Sequence, residues 1–292
     1  MKRKSFFNLM TDPPVKYGEA YPLFTRISIE TTKTCTRSCW FCPSEQRGSV
    51  VQTMTDELYD KILNELHDLN FQGVVQWFFL NEPLLDRNWY ARIEALRKAC
   101  PRVSIHLTTN WDTMYKKDNK VQLETIESLF KAGVNSLNLN DYDARGYEHI
   151  VVQAAEELHV ERVDHCWKKL SPHKHVISNG PLPEQLHNWS GYVNDIKITT
   201  HNAKKQKGKR FCARPHRHIV VQYDGQVPLC CAVNPSNTSF FGNINTASLV
   251  DVWNSYELFK YRHMLQDGLR KDICEGCTSK MAFPHVVRRV QL

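Results

Sequence analysis

The sequence predicts an α/β fold built on a parallel sheet, with a small second unit at its C-terminal end. Three observations carry this. Short apolar strands alternate with segments whose apolar residues recur at helical spacing, and six such strands can be counted. Near residue 201 the pattern changes to a hairpin signal followed by one helix. The length of 292 residues with 41% hydrophobic content suffices for one large core plus an appended unit.

Residues 1–22 read as an extended N-terminal extension. A strand from Phe24 to Glu30 follows, then strands at Gly73–Leu80, Val103–Thr108, Val134–Leu139, Val160–His165 and Val193–Thr199. Between them, Leu58, Ile62, Leu66 and Leu69 form one helical stripe, Trp89, Ile93 and Leu96 a second, and Leu123, Ile126, Leu129 and Phe130 a third. Strands separated by helices imply right-handed crossovers. Eight repeats, roughly 250 residues in all, would close a full barrel, and six leave it open. The fourth helix and residues 170–190 carry a weaker pattern. Lys204 to Arg210 is a basic run that reads as a solvated linker. His218–Tyr223 and Gln226–Cys231, joined by Asp224-Gly225, predict a hairpin. Leu249, Val252, Trp253, Tyr256 and Phe259 then share one helix face. The expected division is 1–22, 23–200 and 201–292.

No run of eighteen apolar residues exists, so no segment reads as a membrane span. The basic start, Met1-Lys2-Arg3-Lys4, leads into no apolar signal core. Both point to a cytoplasmic protein. Ten cysteines then argue for metal or redox chemistry over structural disulfides. The net charge of +7 fits an anionic substrate or a nucleic-acid partner and says nothing of the fold.

Cys35, Cys39 and Cys42 lie in Cys35-Thr-Arg-Ser-Cys39-Trp-Phe41-Cys42, directly after the first strand. Thiolates select iron–sulfur clusters and zinc over hard metals. Three of them leave one iron of a four-iron cubane open, whereas structural zinc wants a closed set of four. The spacing, with an aromatic before the last cysteine, resembles the signature of the radical S-adenosylmethionine (radical SAM) superfamily. The resemblance implies an open, partial (β/α)6 TIM-like barrel. It implies a [4Fe-4S] cluster whose open iron chelates S-adenosylmethionine, and reductive cleavage of that cofactor to a 5′-deoxyadenosyl radical.

Cys212, Cys230, Cys274 and Cys277 form a second set, with Cys274-Glu-Gly-Cys277 able to grip a metal from one turn. With Gly225 separated from Cys230 by four residues, the arrangement resembles the SPASM/twitch extension of radical SAM enzymes. The shorter twitch form, a hairpin plus helix, holds one auxiliary [4Fe-4S] cluster on four cysteines. It is similar to that of the dehydrogenases of aminocyclitol antibiotic biosynthesis. A zinc ribbon is the competing reading of the same four thiols. Cys231 reads as core packing, with a spare-ligand role as the second reading, and Cys100 and Cys166 as buried inert thiols.

The resemblance extends beyond the cysteines. Leu80-Asn81-Glu82-Pro83 stands where the family has a Gly-Glu-Pro-type motif, which implies Glu82 as partner of the cofactor's ammonium, with Asn81 in place of the usual glycine. Thr108-Thr109-Asn110 resembles Thr-Asn-Gly, with Trp111 replacing the glycine, either walling the substrate pocket or capping the core. It implies Asn110 as a cofactor contact. Ser136, Asn138 and Asn140 lie two apart on one strand and so share a face. Ser136 and Asn138 match the family's cofactor positions, and self-satisfied buried polar groups are the alternative. Asn188-Trp189-Ser190-Gly191 resembles a turn before the sixth strand, and Phe41 would pack near the adenine.

What this implies is a radical SAM enzyme of oxidoreductase type. Hydrogen is abstracted from a small molecule, which is oxidised or rearranged, and a fully ligated auxiliary cluster accepts an electron. Peptide or protein modification with a separate clasping protein is the alternative, placed second because some twenty residues precede the first strand. A zinc- or nucleic-acid-binding protein without catalysis is the reading from another class. The expected partners are a small-molecule substrate and an external electron donor such as flavodoxin or ferredoxin, with no membrane and no nucleic acid. No catalytic base can be named.

Overall fold

The computed structural model describes residues 21–39, 41–44, 52–164, 171–180, 212–234 and 240–277. Among the described residues seven strands form one parallel sheet: β1 (Arg26–Ile29), β2 (Val74–Gln76), β3 (Ser104–Thr109), β4 (Ser136–Asn140), β5 (Glu161–Arg162), β6 (Val176–Gly180) and β7 (His218–Val221). Their order across the sheet is β5-β6-β4-β3-β2-β1-β7. The helices are α1 (Asp56–Asp68), α2 (Trp89–Ala99), α3 (Asn119–Ala132), α4 (Glu148–Glu157), α5 (Leu249–Trp253) and α6 (Tyr256–Gln266). The first three follow the stripes read from the sequence. Ile62, Leu66, Ile93, Leu96, Ile126 and Leu129 are fully buried in the main core. Thr55 caps α1 by accepting the Leu58 N–H, with Asp56 and Glu57 in the first turn where the helix dipole favours them.

The sheet departs from sequential order at both edges, with β7 beyond β1 at one and β5 and β6 exchanged at the other. The expected strand Val160–His165 is reduced to Glu161–Arg162, and Val176–Gly180, unassigned in the sequence reading, inserts between it and β4. Both residues of β5 are exposed and charged, which suits an edge. Val176 and Ile177 are buried and take the inner place. The leader before residue 21, Cys166, Asn188–Gly191, the expected strand Val193–Thr199 and the basic run 204–210 lie outside the described residues.

The C-terminal hairpin is also rearranged. Its turn forms: the Gln222 N–H donates to the Gln226 carbonyl at 2.9 Å, and Gly225 sits at φ +82°, where a Cβ would meet Asn245 and Asn243 within 2.7 Å. The first arm, however, pairs parallel with β1, Ile219 and Val221 joining the apolar layer of Ile27 and Ile29. The second arm leaves it, and Val227 pairs with Gly242 and Phe241 instead. The C-terminal segment thus adds a strand to the main sheet. The single helix expected from Leu249 to Phe259 breaks at Asn254, because Ser255 caps a new helix through the Leu258 N–H at 3.4 Å. Tyr256 is accordingly exposed.

Strand alternation divides the sheet into two unlike faces. Ile27, Ile29, Val75, Trp77, Ile105, Leu107, Leu137, Leu139, Ile177 and Val221 pack under the helices. The opposite face, the inside of the open barrel, carries Arg26, Ser28, Gln76, His106, Thr108, Ser136, Asn138, Ser178 and His218, placed by the strand registers. Among the described residues no helix is long and apolar enough to cross a membrane.

Candidate active site

The loop after β1 carries Cys35, Cys39 and Cys42, all half-buried and none in a disulfide. The Cys42 N–H donates to the Cys39 carbonyl at 2.9 Å, closing the tight turn that brings the last two thiols together. Burial pushes the Cys35 thiol up to about 12 and that of Cys39 to about 11, and each feels the charge of its neighbours. Such thiols hold their protons until a cation takes them. Asn110, just past the end of β3, donates its side-chain amide to Cys35 Sγ at 3.4 Å.

Glu82 lies beneath this loop, 1% exposed, at the start of the turn Pro83–Leu85. Its Oε1 accepts Thr109 Oγ1 at 2.6 Å and the Leu84 N–H at 3.2 Å, while Oε2 accepts the Asn110 N–H at 2.6 Å. A carboxylate accepts about four hydrogen bonds, so capacity for one further donor remains. Burial lifts Glu82 to about 7 against the pull of these three donors. Thr109 Oγ1 also accepts the Trp111 N–H at 3.0 Å. Trp111 is fully buried at φ +59°, a left-handed conformation that favours glycine, and its Nε1–H donates to Gln122 Oε1 at 2.8 Å. Of the two sequence readings of Trp111, the structure selects the core cap.

Across the cysteine loop runs a network of two arginines and two aspartates. Arg37, between Cys35 and Cys39, grips Asp112 with Nε and Nη2 at 2.8 and 2.7 Å and Asp143 with Nη1 and Nη2 at 3.0 and 2.9 Å. Arg145 binds the same two carboxylates, and Thr36 Oγ1 donates to Asp112 at 2.7 Å. These groups, with Cys39, Phe41, Tyr115 and Tyr142, line a cavity of about 600 Å³. Phe41 meets Tyr142 edge to face at 5.4 Å.

On the inner face the polar side chains form rows. Ser28, Gln76, His106 and Ser136 occupy matched positions on four adjacent strands. Ser28 Oγ donates to Gln76 Oε1 at 3.3 Å, and His106 Nδ1 lies 2.8 Å from Ser136 Oγ. Burial, reinforced by the Arg26 charge, drives His106 down to about 3, so it is a neutral imidazole. In the next row Ser178 donates to Asn138 Oδ1 at 2.8 Å, and Asn138 Nδ2 to Asn140 Oδ1 at 2.7 Å. Ser136 and Asn138 therefore face the barrel interior as expected from their spacing, tied to polar neighbours on β3 and β6.

At the other end of this face Ser28 Oγ lies 2.9 Å from His218 Nε2. His218 hydrogen-bonds Cys231, and Arg214 Nη1 donates to Cys231 Sγ at 3.1 Å. Burial opposes ionisation of Cys231, but His218 and Arg214 outweigh it and bring the thiol down to about 6. Cys231 is half-buried and polar-bonded, which corrects its reading as core packing. Cys100 is buried as expected. Beside Cys231, the four thiols of Cys212, Cys230, Cys274 and Cys277 are all buried, and none is in a disulfide. Three of them share a small apolar cluster with Leu229, Val233, Leu258 and Leu265.

Both sets suit iron–sulfur ligation by the chemistry of their donors: all thiol, none in a disulfide, and within electrostatic reach of one another. Among the described residues no three such side chains converge on one point as ligands to a single ion do. Ligands to separate irons of a cubane need not. A family model of the radical SAM superfamily matches residues 29–140, the stretch holding the cysteine loop, Glu82, Asn110 and Asn138. Residues 29–140 are a radical SAM domain. A second model, an iron–sulfur cluster-binding domain of SPASM type, matches residues 212–278 with all four C-terminal cysteines. It decides for iron–sulfur over a zinc ribbon.

The chain is 24% identical over 264 residues to an S-adenosyl-L-methionine-dependent 2-deoxy-scyllo-inosamine dehydrogenase of Niallia circulans, covering 88% of this chain and 94% of that one. Its fold resembles the crystal structure of BtrN in complex with AdoMet and 2-DOIA, at TM-score 0.69 and 22% identity over 89% of this chain and 94% of that one. The likeness to BtrN in an open conformation has TM-score 0.60 and 22% identity, covering 88% of this chain and 93% of that one.

Sequence reasoning missed His106, Ser28, Gln76 and His218. Their signal was the same alternation that exposed Ser136 and Asn138, present in Ser104-x-His106-x-Thr108 and Arg26-x-Ser28. It missed the Arg37 network for a different reason: its partners lie 75 and 106 residues away.

Proposed function

We propose that this radical SAM enzyme oxidises a hydroxyl-bearing small molecule, of aminocyclitol or related polyol type, with the C-terminal cluster receiving an electron. When bound, the first cluster and S-adenosylmethionine supply a hydrogen-abstracting radical, which is the cofactor's own chemistry. The observation that carries the reading is the file Gln76–Ser28–His218–Cys231, which runs from the inner face of the barrel to the residue beside Cys230. A polyhydroxylated substrate finds there hydrogen-bonding side chains of matching type. The similarity to an inosamine dehydrogenase over nearly the full length of both chains supports the same class of substrate.

In this reading Cys35, Cys39 and Cys42 hold the first cluster and leave one iron open, with Asn110 steadying Cys35. Glu82 offers its remaining acceptor capacity to the cofactor's ammonium. Ser136 and Asn138 present polar groups to its ribose and carboxylate, and Phe41 offers the adenine an aromatic wall. Cys212, Cys230, Cys274 and Cys277 hold the second cluster with no open iron, which favours electron transfer over substrate binding. An external one-electron donor, such as flavodoxin or ferredoxin, reduces the first cluster.

The test is anaerobic turnover of the reconstituted protein with S-adenosylmethionine, reductant and 2-deoxy-scyllo-inosamine or simpler cyclitols. The expected result is one ketone per 5′-deoxyadenosine, and loss of ketone in a Cys35/Cys39/Cys42→Ala variant. Cofactor cleavage that no cyclitol stimulates would overturn the substrate class.

A further inference from the structure

Two arginines stand against the four C-terminal cysteines. Arg214 begins the turn Arg214–His216, two residues after Cys212, and is half-buried. Its backbone N–H hydrogen-bonds Cys212, and its guanidinium donates to the sulfur of Cys231, the residue after Cys230. Arg270 donates Nη1 to the Cys277 carbonyl at 2.9 Å, and its charge reaches Cys212 and Cys274. The Ala232 N–H donates to Cys230 Sγ at 3.4 Å. Leu229, Val233, Leu258 and Leu265 pack around the set and keep water from screening these charges.

A cubane on four thiolates is an anion in both redox states and gains one more negative charge on reduction. Cluster potentials follow net charge, hydrogen bonds to sulfur and solvent exposure. A guanidinium does not lose its proton in proteins, so its charge is constant. Placed in an apolar shell, it stabilises the reduced state more than the oxidised one. We propose that Arg214, seconded by Arg270, raises the electron affinity of the auxiliary cluster and so fits it to accept the electron. Arg214 does this through its position beside Cys212 and Cys231, without touching substrate. The inference rests on the electron-acceptor reading above.

The test uses the full chain with Cys35, Cys39 and Cys42 replaced by alanine, so that only the auxiliary cluster is reconstituted. Its potential is read by electron paramagnetic resonance in a mediated titration, with iron counted per chain. Arg214→Gln is expected to keep about four irons and to lose electron affinity at least tenfold, a negative shift of about 59 mV for a one-electron couple. Arg214→Lys, which keeps the charge, stays near the parent. A potential unmoved in Arg214→Gln at full iron content overturns the proposal. If that variant binds no iron, Arg270→Gln decides: a negative shift upholds the proposal and an unmoved potential overturns it. None of these readouts depends on substrate. An unmoved potential with cyclitol oxidation intact therefore refutes the arginine role alone, and a shifted one without any cyclitol oxidation refutes the functional reading alone.

Discussion

Asn110 bridges the cysteine loop and the loop after β2: its side-chain amide donates to Cys35 Sγ at 3.4 Å while its backbone N–H donates to Glu82 at 2.6 Å. One residue at the end of β3 thus couples Cys35 to the buried carboxylate of Glu82. Hydrogen bonds to ligand sulfur stabilise the reduced cluster. Asn110→Ala removes the sulfur contact and leaves the backbone bond in place. The variant should assemble its first cluster at a more negative potential and lose it faster in air. Redox titration and the rate of iron release after oxygen exposure check both, and unchanged values would show the contact to be incidental.

Glu82 should make cofactor binding depend on pH. Its carboxyl stands at about 7 because burial favours the neutral form. Pairing with an ammonium needs the ionised form, so S-adenosylmethionine affinity should rise with pH through about 7 and level off above it. Glu82→Gln removes the charge and turns an NH2 group toward one of the donors Thr109, Asn110 or Leu84, at about 1–3 kcal/mol of stability. Affinity should fall about tenfold, equivalent to 1.4 kcal/mol, and lose its pH dependence. Titration calorimetry between pH 6 and 8 reads both. A variant that is destabilised yet binds the cofactor normally would leave Glu82 only its structural part.

What could be read from the chain alone follows from the range of each interaction. Helical stripes such as Leu58–Ile62–Leu66 and the cysteine loop are local, so spacing was enough. The face shared by Ser136 and Asn138 was visible for the same reason. The place of β6 depends on two edges meeting across 35 residues or more, and its apolar signal is only Val176 and Ile177. The pairing of β7 with β1 spans most of the chain, and a hairpin signal at Asp224-Gly225 says nothing about which sheet the first arm joins. Cys231 was misjudged because its partners Arg214 and His218 are set by the path of β7, not by strand alternation.

The arginine–aspartate network should act as a brace on the cysteine loop. Arg37 makes two paired contacts, to Asp112 and to Asp143, and its side chain and that of Asp112 are only 11% and 12% exposed. Paired geometry puts the Arg37–Asp112 coupling at the upper end for such pairs, about 1 kcal/mol. A double-mutant cycle of Arg37→Ala and Asp112→Ala in urea unfolding measures it. Asp112→Asn, which also weakens the Arg145 and Thr36 contacts, should release first-cluster iron several-fold faster while the auxiliary cluster persists. Equal loss from both clusters would mean general unfolding rather than a local brace.

Acidification should destabilise the fold through two buried histidines. His106 and His216 both stand at about 3, chiefly because burial disfavours the charged ring. His106 faces Ser136 and Thr108 on the inner sheet face, with Arg26 and the Phe78 ring nearby. His216 packs on Tyr21 near Arg262 and His263. In the unfolded chain each titrates near 6.5, so between about 6.5 and 3 the unfolded state binds more protons than the folded one. Stability is therefore complete above pH 6.5 and falls on acidification, each histidine contributing about 1.4 kcal/mol per pH unit once its unfolded form is charged. Cluster thiolates add their own acid lability, so the comparison is between parent and His106→Asn, both free of metal, by urea midpoints from pH 7.5 to 5. The variant should be less stable at pH 7.5 because Ser136 loses its ring partner, and its stability should fall less steeply below pH 6.5. Parallel curves would show that His106 takes up its proton within the folded protein.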